Sequence, residues 1–258
     1  MNPYDPPGTD SSVGGGAPTG NLDFEPGTLD IGLALSDGWD ATKRNFGVWL
    51  LMGLTLFVVI LLLECTLIGL FIAGPPLMWG AYKYSLDVLD GKPAFNVLFS
   101  GFGEFGKTWV GMAGSLFFMM LAMIPAYVLC YGAIGVGFAA QMAVDPNSET
   151  PLFILIGTLV GVVVMMPALI PMLKLYLAPY FVVDQGMGPL DACKASWKAT
   201  RGNMLSLIGL FVAIMFIVII GELALLVGVI PAIMVQYGAL SSAYRQMAGR
   251  HPGRYADL

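Results

Sequence analysis

The sequence predicts an all-α, polytopic membrane protein of six transmembrane helices. Two parallel repeats, each an interfacial helix followed by a transmembrane hairpin, flank a central hairpin. Three observations predict this. First, 57% of the chain is hydrophobic and only 11% charged, at a mean hydropathy of +0.78, where a soluble domain carries about 25% charged residues. Second, long apolar stretches recur over 46–89, 108–144, 151–183 and 204–247, and about 20 such residues cross a bilayer. Third, Trp39-Asp40-Ala41-Thr42-Lys43-Arg44-Asn45 recurs as Trp197-Lys198-Ala199-Thr200-Arg201-Gly202-Asn203. The register holds without a gap, pairing Ala34 with Ala192, Glu64 with Glu222, Gly80-Ala81 with Gly238-Ala239, and Gly91 with Gly249. A repeat of this length is one supersecondary unit used twice.

Residues 1–28 are rich in Pro, Gly, Ser, Thr and Asp with little to bury, so a disordered tail is expected. They lack the basic start and short apolar core of a signal peptide. The membrane domain then runs over 29–249, with repeat one at 29–91. Its leading segment is amphipathic: Ile31, Ala34, Leu35, Trp39 and Thr42 share a helical face, with Asp37, Asp40 and Lys43 off it. Such a helix is expected in the membrane interface with its tryptophan at headgroup depth. Asn45 sits at the elbow into the span, where an amide can satisfy backbone groups freed by the bend. The stretch 46–89 is about twice a bilayer crossing, so it folds back as a hairpin at the polar interruption Glu64-Cys65-Thr66.

An interfacial segment and the central hairpin follow over 92–184. Phe95, Phe99, Phe102, Phe105 and Trp109 recur at helical spacing, an apolar stripe suited to the interface. Residues 108–144 supply the third span, with room for a short extra helix over 131–144, and 145–150 a hydrophilic turn. The fourth span, 151–183, is expected to kink near Pro167, Pro171 and Pro179. Repeat two occupies 185–249. Pro189 suits the first helical position and Asp191 the first turn, while Leu190, Cys193, Trp197 and Thr200 form the corresponding apolar face. Asn203 is the second elbow, and the hairpin over 204–247 bends at Glu222. Residues 250–258 form a short tail.

With the N-terminus inside, Lys43, Arg44, Lys83, Lys92, Lys107, Lys194, Lys198, Arg201, Arg245, Arg250 and Arg254 fall on the cytoplasmic side. Lys174 lies a couple of turns inside a span and can snorkel to that side. The outer turns keep only Glu64, Asp145, Glu149 and Glu222. This is the positive-inside bias, and it places both termini in the cytoplasm. Four spans separate the start of one repeat from the start of the other, so both enter in the same direction, related by an axis along the membrane normal.

Asp184-Gln185-Gly186-Met187-Gly188-Pro189-Leu190-Asp191-Ala192, followed by Ser196-Trp197-Lys198-Ala199-Thr200-Arg201-Gly202-Asn203, resembles a signature of uncharacterised bacterial six-helix membrane proteins. That group includes the YciC-like proteins and the membrane domain fused to some glycerophosphodiester phosphodiesterases. The stretches 95–106 and 173–184 fit as well, and the resemblance covers roughly residues 30–249. It implies the six-helix architecture and a bacterial inner-membrane location. It implies no activity, and the phosphodiesterase's catalytic domain has no counterpart here.

Several motifs have both a functional and a plainer reading. Residues 101–108 satisfy the P-loop pattern G-x-x-x-x-G-K-[ST], with Lys107 in the phosphate-reaching position. A P-loop needs a soluble βαβ context, and the phenylalanine stripe accounts for the same residues. Lys174 is the most suggestive single residue: an ionisable group in a span marks a functional site by default, and Pro167 and Pro171 can free carbonyls to line a cavity. A snorkelling lysine among headgroups is the plainer account. Glu64 and Glu222 could bind a cation but fit solvated turns. Gly157 and Gly161 form a G-x-x-x-G, and Gly111/Gly114 and Gly132/Gly135 add small faces for helix packing. The methionines, like the cysteines Cys65, Cys130 and Cys193, suit packing, with a Cys65–Cys130 bridge as the lesser alternative.

The one histidine, His251, lies in the tail, and no metal-ligand spacing, nucleophile–base pair or carboxylate pair is evident. No catalytic residue, metal or cofactor is therefore expected, and the scattered basic residues argue against nucleic acid. Membrane lipids and protein partners are the expected company, with the oligomeric state open. The leading expectation is a non-enzymatic protein that organises or supports a membrane process, working through the surface that carries Trp39 and Trp197. The alternative is a small transporter or lipid-moving protein with a cavity lined by the fourth span.

Overall fold

The computed structural model describes residues 24, 26–64, 67–92, 94–144, 152–223 and 225–248. Among them the chain is all-helical, with no strand. The polar tip Cys65-Thr66, the turn over 145–150, most of the N-terminal tail, and residues 249–258 with His251 lie outside the described residues.

Helix α1 (Ile31–Arg44) starts where the Asp30 carboxylate accepts the Leu33 N–H at 3.0 Å, satisfying one of the donors a helix start leaves orphaned. It ends on Lys43 and Arg44, whose charges suit the negative end of the helix dipole. Helix α2 (Phe46–Glu64) is apolar all round and pairs antiparallel with α3 (Leu67–Leu89): Trp49 near the start of α2 meets Tyr84 near the end of α3 edge-on at 5.2 Å. The reversal falls between Glu64 and Leu67, at the expected polar interruption.

Pro75 and Pro76 lie inside α3. Pro75 has no N–H to offer the carbonyl four residues back, that of Phe71. The Trp109 indole donates to that carbonyl at 3.2 Å, and the two rings meet edge-on at 5.4 Å.

The phenylalanine stripe folds as a 3₁₀ helix (Phe95–Phe102) ahead of α4 (Phe105–Val144). Helix α4 is a continuous run of 40 residues, so the expected separate helix over 131–144 does not form. At 1.5 Å per residue α4 is ~60 Å long, about twice the hydrocarbon thickness of a bilayer. Helix α5 (Leu152–Met165) packs back along its second half. Gly157 and Gly137 oppose each other so closely that a Cβ on either would lie 3.0 Å from the other's Cα. The small-residue motif therefore serves a contact within the chain. The Gln141 side chain accepts the Phe153 N–H at 3.2 Å, supplying an acceptor to the exposed start of α5.

The segment 152–185 is one broken run. A 3₁₀ turn (Met166–Ala168) holds Pro167, α6 (Leu169–Leu175) follows, and α7 (Ala178–Gln185) restarts with Pro179 in its first turn. Pro171 causes no break, because it occupies the first turn of α6, where no intrahelical donor is required. Helix α8 (Pro189–Ala199) opens on Pro189 and carries Asp191 in its first turn. Helices α9 (Met204–Leu223) and α10 (Leu225–Met247) form a second hairpin, pressed together where Gly221 faces Ala232.

Four segments are long and apolar enough to cross a membrane: α2, α4, the run 152–185, and α9. Helices α3 and α10 have 23 residues each and become polar toward their ends, with Lys83 and Asp87 in one and Ser241, Ser242 and Arg245 in the other. Burial is uneven. The core gathers Leu86, Met112, Tyr180, Phe181, Leu207, Tyr244 and Met247 from α3, α4, α7, α9 and α10. Away from it, Leu62, Val136, Leu155 and Leu223 stand exposed.

Candidate functional site

The two occurrences of W-x-A-T-x-x-N fold alike. Ala41 and Thr42 are buried, as are Ala199 and Thr200. Each threonine hydroxyl donates to the carbonyl four residues back, Thr42 to Gly38 at 2.8 Å and Thr200 to Ser196 at 2.9 Å. Each asparagine amide does the same, Asn45 to Ala41 at 3.2 Å and Asn203 to Ala199 at 3.4 Å. The motif thus closes the end of a helix just before the chain turns into the next one.

The tryptophans point the other way. Trp39 is 53% exposed, Trp197 46% and Leu190 52%, whereas Ala34, Thr42, Cys193 and Thr200, which periodicity placed on the same apolar faces, are buried. The inward face is built instead from small residues: Ala34, Gly38 and Ala41 on α1, and Ala192, Ala195, Ser196 and Ala199 on α8. Small side chains let backbones meet. A Cβ on Gly38 would lie 2.6 Å from the Ala239 nitrogen of α10, and one on Gly114 of α4 2.6 Å from Pro189 of α8.

Each exposed indole carries a cation over its ring. Lys43 lies 5.7 Å from the Trp39 ring centroid, and Lys174 4.2 Å from that of Trp197. Lys174 reaches this position because α6 stops at Leu175, leaving the Lys174 carbonyl near a helix end; the Ser196 hydroxyl donates to it at 2.6 Å. The lysine singled out in the fourth span and the second tryptophan are therefore neighbours. Pro167 lies in the 3₁₀ turn before α6 and Pro171 in the first turn of α6. A cleft of about 560 Å³ runs along α4, lined by Phe117, Met120, Met123, Ile124, Tyr127 and, from α6, Met172. Neither proline nor Lys174 lines it.

Asn203 does more than Asn45. Its carbonyl oxygen accepts the Leu29 N–H at 3.0 Å, and its amide donates to the Gly27 carbonyl at 2.7 Å. The chain before α1 is thereby clamped as a strap. The Gly27 N–H donates to Met247 at 3.2 Å, and the Asp30 N–H to the Gln246 side chain at 2.7 Å. Phe24 stacks against Phe181 at 5.7 Å, with Lys198 4.9 Å above its ring. Phe24 and Gly27 fall within the stretch 1–28 expected to be disordered, and Leu29 and Asp30 follow it directly.

A second cluster joins α3, α7 and α10. Arg245 pairs with Asp90 at 2.8 Å and Asp184 at 3.5 Å, and the Tyr244 hydroxyl donates to Asp184 at 2.7 Å. Ser242 donates to Asp37 of α1 at 2.7 Å. In the sequence Arg245 carried only a topological signal.

Phe99 and Phe102 are exposed, while Leu98 and Gly101 beneath them are buried against α3. In the P-loop-like stretch the Thr108 hydroxyl donates to the Gly101 carbonyl at 2.6 Å and Lys107 pairs with Glu104 at 3.1 Å. The Lys107 and Thr108 side chains that a P-loop would use are both engaged locally. Glu64 and Glu222 are exposed at helix ends. Cys130 and Cys193 are free and buried, and burial pushes the Cys193 thiol up to about 11; Cys65 lies outside the described residues. Among the described residues no cluster of three or more His, Cys, Asp or Glu could hold a metal.

The geometry defines an all-helical protein with four membrane-length apolar helices and exposed tryptophan–cation pairs on two small-faced helices. The chain belongs to the family described as a domain of unknown function, DUF7847, whose model matches residues 108–248. That span holds α4 to α10, with Lys174, Trp197, Asn203 and Arg245. No curated protein and no solved structure matches the chain.

Proposed function

We propose that this is a six-span, non-enzymatic protein of the bacterial inner membrane. It organises or supports a membrane process through lipids or protein partners, at the cytoplasmic surface formed by α1 and α8. One observation carries this reading: two exposed tryptophans, each under a lysine, on helices whose small inward faces pack against the bundle. An indole with a nearby cation matches the chemistry of the headgroup region. Helices α3 and α10 serve as the returning arms of two hairpins, giving six spans in two parallel repeats. The resemblance to the YciC-like six-helix proteins and the bias of basic residues support that topology and orientation.

Depth-dependent quenching tests it. The full chain is reconstituted in vesicles containing lipids nitroxide-labelled at the headgroup or at the acyl terminus, and the quenching lost in W39F or in W197F, against the background of Trp49, Trp79 and Trp109, reports each indole. Both are expected to be quenched by the headgroup label. Quenching of either by the acyl-terminal label alone would contradict the reading.

The apolar cleft along α4 favours a second reading, a lipid-moving protein that receives an acyl chain beside Met172. A vesicle assay of lipid exchange between leaflets, comparing the wild type with M172W, distinguishes it: filling the cleft should slow exchange only if the cleft is the path.

A further inference from the structure

The surroundings of the two exposed tryptophans differ in charge. On a helix the residues three before and four after an indole flank it on the same face. Around Trp39 those positions hold Ser36 and Lys43, and the next residue is Asp40. Lys43, the cation over the ring, is already paired with Asp40 at 3.2 Å. Around Trp197 the position three before holds Lys194, Arg201 follows the Thr200 cap that ends α8, and the ammonium of Lys198 lies over the Phe24 ring. Lys174 is added from α6, 4.2 Å from the ring. Asp191, on the same helix, is paired with Lys194 at 3.1 Å. Among the described residues neither Lys174 nor Arg201 has a carboxylate within ion-pair distance. The α1 elbow is thus internally neutralised, whereas the α8 elbow concentrates positive charge around an exposed indole.

We infer that the α8 elbow is a binding site for the headgroup of an anionic phospholipid, with Lys174 and Arg201 taking the phosphate and Trp197 the glycerol region beneath it. The α1 elbow is a seat in the interface without headgroup preference. The inference rests on α8 lying in the membrane interface, as proposed above. Two geometric features favour a lipid over a soluble anion. The indole beneath Lys174 is exposed and apolar, and Leu190, also exposed, continues the apolar surface toward the start of α8. The Lys174 backbone is anchored by the Ser196 hydroxyl at its carbonyl, and its ammonium already stands 4.2 Å from the Trp197 ring. A phosphate between two cations gains charge-assisted hydrogen bonds, and each Lys or Arg near an anionic surface strengthens the attraction.

The test uses the full chain in mild detergent with an equimolar mixture of phosphatidylglycerol and phosphatidylcholine, counting retained lipids by native mass spectrometry. Wild type should retain phosphatidylglycerol preferentially. The preference should fall about tenfold in K174M and R201Q, the equivalent of about 1.4 kcal/mol, and stay unchanged in K43M. An equal loss in K43M, or no loss in K174M and R201Q, would overturn the inference. So would displacement of the retained lipid by inorganic phosphate, which would make the site one for soluble anions. Headgroup quenching of Trp197 in phosphatidylcholine vesicles separates the two levels. If it fails, α8 is not interfacial and the earlier reading falls as well. If it persists in every variant while no lipid preference appears, the proteins are folded and seated, and only the lipid site is refuted.

Discussion

At the α1 elbow the lysine over Trp39 is paired with Asp40, and Asn45 bonds a carbonyl of its own helix. At the α8 elbow Lys174 arrives from another helix, and Asn203 clamps a strap that lies 174 residues away in the chain. The motif residues shared by the two elbows produce the same local geometry. What each elbow meets is decided by residues outside the motif. The Gly-Ala pair 80–81 and its counterpart 238–239 show the same split: Gly80 abuts the backbone of Leu98 in the 3₁₀ helix, and Gly238 abuts Gly38 of α1. Equivalent glycines permit close approach, and chain connectivity selects the partner.

The largest expected effect comes from closing that approach. G238V places a side chain where a Cβ would already lie 2.8 Å from the Gly38 Cα, so α1 must leave α10. A loss of about 3 kcal/mol is expected, at the upper end for overpacking, read as a lowered thermal midpoint in detergent. G47A is the control, with nothing within 4 Å of its Cβ; it should be neutral or slightly stabilising. Comparable losses in both would break the close-packing account.

Next is R245M. Arg245 stands between Asp90 and Asp184, and the side chains of Arg245 and Asp184 are each 14% exposed. Removing the cation leaves the largely buried Asp184 carboxylate with its Tyr244 bond but without this countercharge, at a cost of about 3 kcal/mol. Chemical denaturation in mixed micelles measures it, and a loss below a few tenths would reduce the cluster to a surface contact.

The asparagines sharpen the comparison directly. N203A removes two bonds to the strap, at an expected cost of about 2 kcal/mol. It should also make the chain around 24–30 a fast site for limited proteolysis. N45A removes one bond within a helix and should cost about 0.5 kcal/mol with no change in cleavage. Similar behaviour in the two variants would mean the strap does not depend on Asn203. Equal and small effects are expected where the elbows are alike: T42V and T200V each lose a bond to a carbonyl four residues back, and both should cost about 0.5 kcal/mol.

These contrasts explain which features the sequence made legible. The hairpin reversals near Glu64 and Glu222 were readable because a carboxylate interrupts an apolar run. The breaks at Pro167 and Pro179 follow from a missing N–H, whereas Pro171 shows that position within a helix decides whether a proline breaks it. Periodicity set Trp39 and Trp197 on one face with Ala34, Thr42, Cys193 and Thr200, which are buried while the indoles are exposed. Periodicity identifies an apolar face, but a chain with two apolar surroundings can turn large side chains outward and pack small ones inward. Helix α4 gave no sign that it continues past Tyr131. The Asn203 strap, the Arg245 cluster and the indole bond of Trp109 to Phe71 join residues far apart in the chain, so local pattern could not reveal them.

The account centres on both elbows lying at one and the same membrane face. Replacing Trp39 and Trp197 one at a time with cysteine in a C65S background tests this most directly, since Cys130 and Cys193 are buried and the Cys193 thiol is pushed up to about 11. A membrane-impermeant maleimide is applied to intact cells and to inverted vesicles. Both positions should be labelled in inverted vesicles and neither in intact cells; labelling of the two from opposite sides would contradict the account.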